Sequence, residues 1–408
     1  MPYKLIRLFK NVLKFFIGSR NVERLALMRS RKQLQYICKE QSFSITGKLD
    51  VLFFCEQPSH WQNIQLVVDS ILERNLSLSI GLATTYLNAS YPNANYPSSV
   101  PIVHGVNVGM LRFFNAQIIY TPFVGLGQEW RPLGSRVIHS LVSMTGLDGV
   151  YSEYSFDCCD YIICAGPHQV DSFQKWSRGR SELSGKTVIP AGYPKLDLVL
   201  STQQYRKHQH QNNGSQRAVV YAPTHVGSIN ESLASLRLYG EGIVSALMNA
   251  GYKVTFRPHP VSCHDDDKKL VDRIVETHQN KPNFTFDRSK NYIDTYSKTD
   301  LMVTDLSGTG FTYSFSFCRP SIFFAPNEEA ERGLSGIQFE SREHIGAVIR
   351  SIDKLIEKVD ELCQNDMSAE IIKFRGETVY NIAHSSPYIV DCIDDIIAGC
   401  ERPEWVCL

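Results

Sequence analysis

The sequence predicts an α/β fold of two doubly wound lobes facing each other across a cleft. Apolar runs of strand length alternate with stretches long enough to hold a helix, and a polar stretch near the middle interrupts this alternation before it resumes. The runs are continuous rather than alternating, as expected of strands covered on both faces of a parallel sheet. Both halves therefore read as Rossmann-type lobes. At 408 residues the chain exceeds one ordinary core and suits two domains.

Residues 1–45 form a basic segment. Residues 1–39 hold ten Lys or Arg against the single acid Glu23, so a formal net charge of zero hides +9 here and −9 elsewhere. Lys4, Arg7, Lys10 and Lys14 interrupt the first twenty residues too often for a bilayer span. On a helical wheel these bases and Asn11 share one arc, while Leu5, Leu8, Phe9, Val12, Leu13 and Phe16 cover the other. That pattern predicts an amphipathic helix lying on an anionic membrane surface; the plainer alternative is a helix packed on the body with a solvated basic face. Basic excess confined to one end, without aromatic platforms, argues against nucleic acid as a partner.

Residues 46–200 form the first lobe, with strands expected at 50–55, 76–82, 116–121, 136–143, 161–166 and 187–194. The polar stretch 201–217 is the linker. The second lobe, 218–408, has strands expected at 218–225, 252–260, 283–287, 301–310 and 321–326. Its helical tail at 345–363 and 388–400 is expected to close it. Eleven cysteines without a metal-type CxxC pair imply a reducing compartment, and five Asn-x-Ser/Thr sequons are treated as chance.

In open α/β sheets ligands sit beyond the carboxyl ends of the strands, which directs attention to the loops there. In LMVTDLSGTGFTYSF a strand ends at Asp305, and Ser307, Gly308 and Thr309 open a helix whose N-terminus can hold a phosphate. The same residues also suit a plain turn with a Ser or Thr cap. In YKVTFRPHP, Arg257 and His259 sit on a loop stiffened by two prolines. Both can contact an anion, although a histidine that only caps a strand end fits too. His139 ends a first-lobe strand and is placed to face the cleft as a base, or to serve structurally. Thr224, after the first strand of the second lobe, should lie near the phosphate turn, making it a donor contact. Pro194 and Lys195 of GYPKLD most simply mark a turn leading to the linker, and His60, His104 and His168 could line the first lobe but are not singled out by spacing. The run HDDD at 264–267 reads as a solvated loop able to attract a cation, and no dedicated metal site is predicted.

Taken in order, His139 with its strand, CCDYIICAG, GYPKLD, YAPT, RPHP and TDLSGTGFTYSF resemble the CDP-glycerol glycerophosphotransferase family of teichoic-acid and capsule polymerases, over roughly residues 130–330. The resemblance implies a GT-B architecture and no tightly bound cofactor. It implies a CDP-linked donor as substrate, with room for Mg²⁺ on its diphosphate, and a polymer or lipid-linked acceptor. The enzyme would be cytoplasmic, peripheral on the inner face of the membrane. Under it His139 becomes the general base toward the acceptor hydroxyl and His259 contacts the donor diphosphate, while Asp305, Ser307, Gly308 and Thr309 hold donor phosphate or the alditol. Ser140 and Gly308 depart from the family's usual Gly and second Ser. A nucleotide-sugar glycosyltransferase of the CMP-Kdo type on the same plan therefore stands as the alternative. A non-catalytic nucleotide-binding scaffold stands behind it.

Overall fold

The computed structural model describes residues 19–44, 47–57, 60–74, 76–87, 96–97, 100–125, 127–148, 150–152, 154–201, 216–225, 231–289 and 291–408. The amphipathic helix expected over the first twenty residues and most of the linker at 201–217 lie outside the described residues.

The first sheet contains β1 (Leu49–Cys55), β2 (Ile80–Thr84), β3 (Ile102–His104), β4 (Ala116–Thr121), β5 (Arg136–Ser140), β6 (Tyr161–Cys164) and β7 (Thr187–Pro190). The second contains β8 (Ala218–Tyr221), β9 (Lys253–Phe256), β10 (Phe284–Phe286), β11 (Leu301–Thr304), β12 (Ser321–Phe324) and β13 (Gly346–Ile349). Strand order is β14-β7-β6-β5-β4-β1-β2-β3 in one and β10-β9-β8-β11-β12-β13 in the other, where β14 is Val406–Cys407. All pairings are parallel except β14 with β7. The central strands are buried along nearly their whole length, as continuous apolar runs require.

Helices α1 (Ser19–Glu40), α2 (Trp61–Glu73), α3 (Pro167–Ser177) and α4 (Pro194–Ser201) belong to the first half of the chain. Then follow α5 (Leu236–Asn249), α6 (Lys268–His278), α7 (Gly308–Phe317), α8 (Leu355–Gln364), α9 (Ser368–Thr378) and α10 (Ser385–Ala398). Separate apolar cores form around each sheet: Val51, Phe53, Ile118 and Ile163 in the first, Val219, Phe256, Val303 and Phe324 in the second.

The tail departs from expectation in two ways. The segment from 345 is not helical throughout, because residues 346–349 form strand β13 and α8 begins only at Leu355. In addition, α10 does not close the second lobe. It crosses back to the first, where Ile389, Val390, Ile393 and Ile396 join the core shared with Ile64, Val67 and Val68 of α2. Each buried Ile or Val there contributes about 1.5–3 kcal/mol, so the tail clasps the first lobe firmly. The crossing is secured by Tyr380 N–H donating to Ala165 O (2.8 Å) and by Asp197 accepting from the amides of Ala383 and Ser385 (2.7 Å each).

The lobes touch through the segment after β5. Gly146 N–H donates to Gln338 Oε1 (2.7 Å), and Asp148 accepts from the Ser335 amide and hydroxyl (3.1 and 2.9 Å).

Candidate active site

In the second sheet the strand order reverses between β8 and β11, the position where open α/β sheets gather ligands. Asp305 follows β11 directly. It is 0% exposed, and its carboxylate accepts from Thr224 N–H (2.9 Å), Ser235 N–H (2.8 Å) and Ser235 Oγ–H (2.8 Å). Burial raises its pKa and these hydrogen bonds oppose the shift. Both oxygens are thus committed within the protein. Asp305 ties the loop after β8 to the turn after β11. Thr224 takes part, its Oγ1 donating to Leu306 O (3.2 Å).

Ser307 caps α7, its hydroxyl accepting from Thr309 N–H (3.2 Å), while Thr309 Oγ1 meets Tyr296 Oη at 2.8 Å. Both residues are half-buried at a helix N-terminus, so the turn keeps the anion-favouring end of α7 toward the cleft. At Gly308 a Cβ would stand 2.2 Å from Ser143 Oγ and 3.2 Å from Thr145 Cγ2. The two lobes meet here too closely for any side chain, which explains glycine at this position. Gly308→Ala should destabilise the protein by about 1–3 kcal/mol and raise the donor KM several-fold, because Ser143 Oγ also receives hydrogen bonds from Thr145. Adding Ser143→Ala should restore most of the loss, as read by thermal unfolding and initial rates.

His259 follows β9. Its Nδ1 accepts from Val261 N–H (3.3 Å), which places the proton of the neutral ring on Nε2, the nitrogen left to donate to a ligand. Burial, then the charges of neighbouring His225 and Lys195, holds its pKa down at about 4. Arg257, on the same loop, is held within the protein. Its guanidinium is taken by Asp287 Oδ2 (2.5 Å) and by Ser289 Oγ and O (3.2 and 2.9 Å), so it braces the loop.

In the first lobe His139 lies on β5, 0% exposed, with its ring edge-to-face against Phe156 at 5.2 Å. Neither ring nitrogen makes a well-formed hydrogen bond, the Phe123 backbone being the polar group that bears on the ring. Burial lowers its pKa to about 3, His60 adding to the shift and the Phe123 backbone opposing it. The loop beyond β5 is held from α3: His168 Nε2 meets Met144 O at 2.6 Å, and the Gln169 amide donates to Ser143 O (2.9 Å) and Thr145 O (2.8 Å).

Lys195 joins the two groups. It stands at the start of α4 after β7, and burial lowers its pKa to about 8. Its charge depresses the pKa of both His60 and His259, so it bears on a histidine of each lobe. Its Nζ lies 5.9 Å from the ring of Tyr292, whose buried hydroxyl has no partner. Spacing gave no signal for Lys195, His60 or Tyr292; a basic residue directly after Gly-Tyr-Pro at a strand end was the available clue. The run at 264–267 is also more ordered than a solvated loop, since Asp265 and Asp267 turn inward against His225.

These features match a known family. The family model described as CDP-glycerol:poly(glycerophosphate) glycerophosphotransferase matches residues 144–393, more than half of the chain. The chain belongs to this family. It is a transferase with the two-lobed GT-B plan, and CDP-glycerol is its family's donor. A search of curated proteins returned no match. Among solved structures, the wall teichoic acid polymerase TagF is similar at 16% identity and a TM-score of 0.60, over 98% of this chain and 99% of that one. The UDP-GlcNAc 2-epimerase of Methanocaldococcus jannaschii is similar at 13% identity and a TM-score of 0.54, over 85% and 99%. A putative UDP-N-acetylglucosamine 2-epimerase of Listeria monocytogenes is similar at 10% and 0.58, over 88% and 99%. At these identities the likeness is one of fold. The stretch matched to the glycerophosphotransferase family contains Lys195, Thr224, His259 and the turn 305–309, whereas His139 lies just before it.

Proposed function

We propose that this glycerophosphotransferase moves glycerol phosphate from CDP-glycerol to a hydroxyl of a teichoic-acid-type surface polymer or its lipid-linked precursor. The acceptor oxygen attacks the β-phosphorus, its bond to phosphorus forms as the bridging bond breaks, and CMP leaves. His139 takes the acceptor proton. His259 Nε2–H, Lys195 and the N-terminus of α7 at Ser307 to Thr309 stabilise the charge on the diphosphate. Thr224, Arg257 and Asp305 hold the loops that carry these groups.

The observation that carries this reading is the wholly buried His139 ring at the end of β5, without a well-formed hydrogen bond and next to the loop that meets Gly308 of the other lobe. An unsatisfied buried polar group costs about 1–3 kcal/mol, a cost that an acceptor hydroxyl bound to the ring would recover. The basic excess over residues 1–39 supports attachment to the anionic inner face of the cytoplasmic membrane, and among the described residues no helix is long and apolar enough to cross one.

The test is CMP release by purified protein from CDP-glycerol, CDP-ribitol and CMP-Kdo in parallel, with a polymer or lipid-linked acceptor. Release from CDP-glycerol is expected, and release from CMP-Kdo alone would replace the reading with glycosyl transfer. His259→Ala should raise the KM for CDP-glycerol about 10–100-fold, the value of one hydrogen bond to a charged group. An unchanged KM would remove His259 from the donor site.

A further inference from the structure

We infer that the loops after β8 and β9 form a divalent-cation site, in which His225 Nδ1 and the carboxylates of Asp265 and Asp267 bind one ion. One ligand atom from each residue lies within 4.8 Å of the others. His225 Nδ1 is 3.1 Å from Asp265 Oδ2 and 3.9 Å from Asp267 Oδ2. Ligands held about 2.0–2.2 Å from a common ion stand roughly 3–4 Å apart, so little movement is needed to close around one.

Asp267 supplies the independent observation. It is 3% exposed; Oδ1 is taken by Arg237 Nε at 2.5 Å, while Oδ2 has no hydrogen-bond partner. A buried carboxylate oxygen without a donor is costly, and it faces His225 and Asp265. Arg237 neutralises Asp267 and the Asp267 amide donates to Asp265 Oδ1 (3.0 Å), which leaves Asp265 Oδ2 and Asp267 Oδ2 converging on His225 Nδ1. Ser262 Oγ also lies 3.3 Å from the same imidazole nitrogen.

The donor set selects the class of ion. One imidazole nitrogen with two carboxylates suits Mn²⁺ or Zn²⁺ better than Mg²⁺, which prefers oxygen ligands. Three protein ligands leave coordination positions open. The His225 ring is stacked on that of His259 at 5.7 Å and 24°, so an ion here would fix the orientation of a histidine assigned above to the diphosphate. The inference stands on these residues alone and holds or fails whichever donor the enzyme uses.

The test uses the full chain without nucleotide, in equilibrium dialysis against MnCl₂, ZnCl₂ and MgCl₂, with Mn²⁺ uptake followed by electron paramagnetic resonance. One Mn²⁺ or Zn²⁺ per chain is expected, with a rise in Tm as the ion is added. His225→Phe, which keeps the stacked ring, and Asp265→Asn should each weaken binding at least tenfold, with their Tm in EDTA close to that of the parent. Absence of stoichiometric uptake, uptake unchanged in both variants, or a preference for Mg²⁺ would overturn the assignment.

Discussion

His139→Asn should lower kcat for CMP release by about 10²–10⁴-fold, the range attached to loss of a general base, with the KM for CDP-glycerol within a few-fold of the parent. The ring's position and its lack of a well-formed hydrogen bond lead to this result. β5 carries His139 near the carboxyl edge of the first sheet, beside His60, and the loop that follows is pinned to α3 and pressed against Gly308 of the other lobe. The ring is held neutral by burial, so it can accept a proton once an acceptor hydroxyl reaches it.

The same burial makes a stability prediction. The folded pKa of about 3 lies below the ordinary value of 6.5, so the unfolded state takes up the proton first. Stability is complete above pH 6.5 and is lost as pH falls toward 3, by about 1–2 kcal/mol between pH 6.5 and 5 for this residue. Urea denaturation across that interval should show a shallower acid loss in His139→Asn. Parallel loss in both proteins would mean that the ring is not held neutral by burial.

The sheets were legible in the sequence to the extent that their strands are apolar and central. Runs such as AQIIYT and YIIC bury every or nearly every side chain, and their continuity marks them. The strands not anticipated are short and peripheral. β3 has three residues and β14 two, too few to show a period, and GAVI of β13 runs into the pattern of the following helix. Only the structure reveals why Gly346 starts that strand: a Cβ there would lie 1.8 Å from Ser321 O.

Local sequence located the site loops but could not say which side chains are spent internally. Arg257 looked available because its partner Asp287 lies thirty residues away. Lys195 looked like a turn residue because the histidines it bears on come from distant loops. Asp305 illustrates the same limit most sharply, since its three donors come from a loop about seventy to eighty residues earlier.

Asp305→Ala should therefore behave as a folding variant first. Removing the carboxylate leaves the Thr224 and Ser235 amides without an acceptor in a water-free setting, although Ser235 Oγ retains Tyr221 Oη at 2.8 Å. Breaking such a buried charged network costs on the order of 3–5 kcal/mol, a large fraction of the stability of an ordinary domain. Asp305→Asn keeps the shape and one acceptor oxygen but turns an NH₂ group toward an N–H donor, so it should fall between parent and alanine. Urea denaturation separates this role from ligand contact. Parent-like stability in Asp305→Ala, combined with a selective loss of affinity for CDP-glycerol, would return Asp305 to the donor site. Because the loop after β8 carries both Thr224 and His225, the stability loss should be accompanied by faster backbone amide exchange at Ala222, Thr224 and His225, which a simple substrate contact would not produce.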